Sequence, residues 1–206
     1  MFMLYAIAIG LVVGRLAGGR IERLGRLQFH WAGLAIAALI VQLALFSAPV
    51  TAVIGDAGPP IYVASSAAVL VVVLRNARIP GLPIVAAGAA TNLLAIVANG
   101  GYMPAAPGAL ESLGKQVGAE YSNSREFAAA AIAPLGDAFA MPAALPFANV
   151  FSIGDVLIGL GVCVAIVWTM RDATLDDRAK PAPERDVAAP GRDAPASATS
   201  GPFAHS

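Results

Sequence analysis

Charge is scarce in this chain. Only 13% of its 206 residues are Asp, Glu, Lys or Arg, about half of the ~25% usual in soluble domains. With 58% apolar residues and a mean hydropathy of +0.73, the composition argues against a water-soluble globule and for an integral membrane protein. Cysteine and histidine are nearly missing too. Cys163 is the single thiol, so neither a disulfide framework nor a cysteine metal site can be built. It lies in an apolar run and reads as a small core or lipid-facing residue. His30 and His205 stand far apart, and no metal-ligand spacing exists. Neither a metal nor a cofactor is expected. The 13 basic and 13 acidic residues cancel, which leaves no field toward nucleic acid and no nucleic-acid partner.

What is abundant is uncharged apolar sequence. Runs long enough to cross a bilayer predict an all-α membrane protein with about five transmembrane helices, over residues 2–19, 31–50, 60–78, 82–98 and 153–170. The third is the shortest, since its apolar core Ile61–Leu74 reaches only about 21 Å at 1.5 Å per residue. It spans if Arg75 and Arg78 snorkel to the interface. Together with an outer loop over 99–152, these segments make a bundle over 1–171, followed by a tail over 172–206. The tail is rich in Asp, Arg, Ala, Pro and Ser; it cannot bury enough apolar surface to offset ordering and reads as a disordered cytoplasmic segment.

Orientation follows from the cations, which are retained on the cytoplasmic side of short loops. Arg15, Arg20, Arg23, Arg26, Arg75, Arg78, Arg171, Arg178, Lys180, Arg185 and Arg192 fall on one side, and only Lys115 and Arg125 on the other. The expected topology is N-terminus out and C-terminus in, in the inner (cytoplasmic) membrane. Six acids, Asp56, Glu111, Glu120, Glu126, Asp137 and Asp155, then lie outside. No basic residue precedes the first apolar run and four arginines follow it, the reverse of a secretory signal. Between them and the second run, Ile21, Leu24, Leu27 and Trp31 recur at helical spacing among arginines. That stretch reads either as an interfacial helix or as a basic loop anchored by Trp31.

Gly10, Gly14 and Gly18 recur every four residues, marking a face for close helix packing. Polar residues inside the runs are few: Gln42, Ser65, Ser66, Thr91 and Asn92. Each wants a partner in hydrocarbon, and Gln42 and Asn92 read first as interhelical hydrogen-bond residues and second as ligands for a polar molecule. No ionisable side chain falls at mid-depth, which weighs against a proton pump or ion pathway.

The long connection is apolar rather than low-complexity, and it should lie on the membrane or dip into the bundle. It opens with Asn99-Gly-Gly-Tyr-Met-Pro104, a helix C-terminus signal. It closes with Ser152-Ile-Gly-Asp155, a capping-box spacing, and both would sit at the outer interface. At Asn99–Pro104, Leu135-Gly-Asp137 and Val150–Leu157 the chain resembles an uncharacterised family of small bacterial multi-span membrane proteins, over about Met1 to Arg171. The resemblance implies a multi-span fold and brings no activity, cofactor or catalytic residue. It also implies a cation ahead of Asn149, where this chain has Ala148.

Asn99, Tyr102, Asn149, Ser152 and Asp155 are therefore the candidate ligand-binding residues, with Asp137 folded over them. Two carboxylates with several amides suit a lidded interfacial site for an amphiphile or a cation. The expected function is a binding or assembly protein, holding a lipophilic molecule or packing with a membrane partner or a second copy. Alternatives are an integral membrane enzyme acting on a lipid-linked substrate, with Asp137 and Asp155 as its acid–base or metal pair, or a small-solute transporter. No nucleophile triad, phosphate loop or redox pair supports the enzyme.

Overall fold

The computed structural model describes residues 2–106, 108–109, 124–126, 130–142, 144–146 and 148–178. It is mostly helical: α1 Phe2–Leu16, α2 Ala32–Leu45, α3 Ala48–Ile54, α4 Gly58–Arg75, α5 Leu82–Ala98, α6 Ile153–Arg171 and α7 Thr174–Arg178. The stretch Ala48–Arg75 and helix α6 are long and apolar enough to cross a membrane, while α1, α2 and α5 are shorter apolar helices. Most of the tail expected from Asp172 lies outside the described residues. Its first residues do not run free, because α7 packs on a 3-10 turn, Ile21–Arg26.

Local chemistry sets where the helices stop. α1 ends in a Schellman motif: Gly18 takes φ +78°, and the Gly18 and Gly19 amides donate to Arg15 and Gly14 carbonyls. The first run is thus helical to Leu16 rather than to residue 19, and Gly18 forms the cap instead of extending the packing face. α5 stops the same way, with Gly100 at φ +70° and the Gly101 amide on Ile96 O. The second run breaks at Leu45 because Pro49 cannot continue the ladder; Ser47 and Pro49 instead begin α3. α4 starts at Gly58 and ends at Asn76, whose side chain accepts from His30 N and donates to His30 O and Val72 O. Between Arg20 and Trp31 only the 3-10 turn forms, and Trp31 takes a left-handed φ of 60°.

The helices stand in a row, α1 on α6, α6 on α5, α5 on α4 and α4 on α2. Small residues let α6 approach both neighbours. Gly10 and Gly14 of α1 meet Cys163, Ile166 and Met170, while Gly159 meets Phe2 and Ala6, so α1 and α6 run parallel. Gly88 of α5 meets Gly154 and Ile158, and Gly81 meets Gly161 and Ala165, so α5 runs antiparallel to α6. Close backbone contact of this kind is what small residues at a helix interface permit. Outward side chains are large and apolar, among them Val12, Leu34, Leu43, Val71, Leu94 and Leu160.

These directions sort the charges. The C-terminal ends of α1, α4 and α6 and the starts of α2 and α5 share one end of the row, with Arg15, Arg20, Arg23, Arg26, Arg75, Arg78 and Arg171. The opposite end carries the connection between α5 and α6. There β1 (Met103–Ala105) pairs in parallel with β2 (Ser124–Glu126), and β3 (Phe139–Ala140) pairs antiparallel with β4 (Val150–Phe151). Phe2, Phe151 and Phe139 stack in sequence, with centroids 4.9 and 5.4 Å apart, and Tyr5 Oη donates to Pro146 O at 2.7 Å. The connection is thereby fastened to the start of α1.

Candidate functional site

The connection closes over a cavity of about 340 Å³ enclosed by the starts of α1 and α6, the end of α5, and facing turns of α2 and α4. One wall is polar. Ser152 caps α6: its Oγ accepts from Asp155 N at 3.0 Å, while its own N donates to Asp155 Oδ2 at 3.0 Å. Asn92 of α5 locks onto this box, donating through Nδ2 to Asp155 Oδ1 at 2.9 Å and accepting from Ser152 Oγ at 2.9 Å. Gly154 makes this possible, because a Cβ there would collide with Asn92 Oδ1. Asn92 thus joins two helices and also lines the cavity.

A second polar set lies across from it. Gln42 Nε2 of α2 donates to Ser65 Oγ at 3.2 Å and Ser66 Oγ at 3.3 Å of α4, and Gln42 and Ser66 both line the cavity. The roof comes from the connection. Asp137, 5% exposed, is held by its backbone, with N donating to Pro104 O at 2.7 Å and its carbonyl accepting from Ala106 N at 3.0 Å. Gly136 allows that approach, since a Cβ would run into Pro104 O. Asn149 and Val150 complete the roof; Leu39, Val69, Leu93, Ile96 and Ile158 supply apolar walls.

Of the six residues expected at the site, Asp137, Asn149 and Asp155 line this one cavity. Ser152 is fully buried and acts behind Asp155 as its cap. Asn99 stands aside: its Nδ2 donates to Ala95 O and its Oδ1 accepts from Ala131 N, tying the end of α5 to the connection. Tyr102 is half-buried and is not among the described lining residues. Asn92, Gln42 and Ser66 line the cavity as well; in sequence they read foremost as helix linkers, which they also are, with ligand binding the lesser reading of Asn92 and Gln42. Among the described residues no group of three metal-ligating side chains gathers.

At the other end the chemistry is ionic. Arg23 donates Nε and Nη2 to Asp176 Oδ2, at 3.1 and 2.7 Å, and Nη1 to Met170 O at 3.0 Å. Arg26 pairs with the other Asp176 oxygen and Arg20 approaches from outside. Hydrogen bonding from Arg23 holds the Asp176 carboxyl below its ordinary range, and the same bond raises Arg23.

A row of apolar-faced helices around a mixed polar and apolar cavity defines a class: a small helical protein with large apolar side chains outward, a cavity toward one end and an arginine cluster at the other. The chain belongs to DUF5317, a family of unknown function, whose model matches residues 26–167. That stretch includes every described cavity-lining residue except Phe2 and Met3. No curated protein and no solved structure matches the chain.

Proposed function

We propose that this is a multi-pass protein of the bacterial inner membrane, crossing five times with its arginine-rich end in the cytoplasm, and that it holds a small lipophilic molecule in the cavity at its outer end. Large apolar side chains stand exposed on all five long helices, and hydrocarbon covers them in this reading. The shorter helices reach about 21 to 25 Å at the helical rise, which flanking arginines and local bilayer thinning accommodate.

The observation that carries the binding reading is the cavity itself. A volume of about 340 Å³ falls in the ligand-pocket range of ~300–1,000 Å³. Its lining sets Asn92, Asp137, Asn149 and Asp155 against Leu39, Val69, Leu93 and Ile158, the division an amphiphile needs.

Native mass spectrometry of the protein released from mild detergent tests this. A small molecule retained by the wild type and lost from Asp137→Ala is expected. A bare wild-type protein, or retention unchanged in the variant, would overturn the reading.

A further inference from the structure

We infer that the cavity is filled from the side, between α1 and α2, by a single-chain amphiphile dissolved in the outer leaflet. This deepens the binding reading above and rests on it. Helices α1 and α2 are the two ends of the row, and among the described residues they share no contact as extensive as those that join the other neighbours. Yet both line the cavity, α1 through Phe2 and Met3 and α2 through Leu39 and Gln42. Leu39 is also 52% exposed, so the cavity wall continues onto the outward face. A gap bounded by two helices running along the bundle opens laterally, toward acyl chains rather than toward water.

Size identifies the occupant. About 340 Å³ is room for roughly eleven water-sized groups at ~30 Å³ each. A helix about 10 Å across and 30 Å long needs several times more, so a partner's transmembrane helix does not fit inside. A polar head with its first few methylenes does. The head meets Asn92 and Asp155 on the closed side of the row, and the chain leaves past Leu39. The route from above is fastened on the α1 side, where Phe2, Phe151 and Phe139 stack and Tyr5 holds Pro146.

The test places Met3→Cys and Leu39→Cys in a Cys163→Ala background and joins them with a reducible bis-maleimide. The full chain in nanodiscs is exposed to a monoacylglycerol bearing a diazirine on its first methylenes, and adducts are mapped by peptide mass spectrometry. Interior adducts on Leu93 and Ile158 are expected in the open protein, lost on bridging and restored by reductant, while the outward Leu94 labels throughout. Leu39→Trp alone, which narrows the gap without a bridge, is expected to reduce the same interior adducts. Interior labelling that survives the bridge overturns lateral access and leaves the binding reading standing. Absence of interior labelling in the open protein overturns both.

Discussion

The two ends of α6 are both capped by distant sequence, and they are capped by opposite chemistry. At the C-terminal end, Arg23 reaches from the turn after α1 to donate to Met170 O, and the Arg20 amide donates to the same carbonyl. That end is closed: Met170 is fully buried, against Gly14 and Gly19. At the N-terminal end, neutral Asn92 meets an in-chain capping box, and a cavity remains beside it. The Arg23–Asp176 pair is only partly exposed, at 11% and 27%, and it adds to the packing of Met170 at this end. Satisfied polar groups at the cavity end cannot be released cheaply, because a buried unpaired group costs about 1–3 kcal/mol. The difference teaches that one helix is held at one end by packing and charge and at the other by a hydrogen-bonded cap beside which space is left.

The comparison breaks hardest at Gly154. Valine there collides with Asn92 and the Gly88 carbonyl, and a loss of about 3 kcal/mol or more is expected from overpacking combined with the broken cap. Unfolding in detergent measures it, with Gly33→Ala, where nothing lies within 4 Å, as a near-neutral control. Asn92→Ala removes both bonds to the cap; a cost of about 1–3 kcal/mol in the same assay, with ligand retention lost, would sharpen the double role assigned to it. Asp176→Asn should have the smallest effect on global unfolding and act locally. The folded Asp176 pKa is depressed, so its stabilisation is complete above the ordinary value of 3.8 and is lost as pH falls from there through the lowered folded value. Hydrogen exchange at residues 174–176 should therefore quicken with acid in the wild type, beyond its intrinsic pH dependence. In the variant it should already be fast and no longer show that added dependence.

Much of this was legible in the sequence where a feature is local. The Asn99-Gly-Gly stop and the Ser152/Asp155 box are short-range backbone demands, and both form. The arginine positions likewise fall at one end once helix directions are known. What was not legible is the order of the helices in the row, which depends on the fit of Gly88 to Gly154 and Gly10 to Cys163: the glycine spacing marks a packing face on α1 but does not say which helix it meets. Strands of two or three residues, such as those that fix Asp137, give no alternation to read. Asn92 and Gln42 were ranked below the site residues because a linking amide and a lining amide look the same in sequence, and both are linking and lining at once. Asn99 was placed at the site because both ends of the long connection share one interface in the expected topology, yet its hydrogen bonds turn it inward to α5 and Ala131.

The row has a consequence for assembly in time. Helix α1 is the first made, and its packing partner α6 begins at Ile153. At about 5–20 residues per second of synthesis, Gly10 and Gly14 wait roughly ten to thirty seconds for the surface they fit. During that interval α1 stands with its glycine face bare, and its neighbour in the row is the last helix of the bundle to arrive.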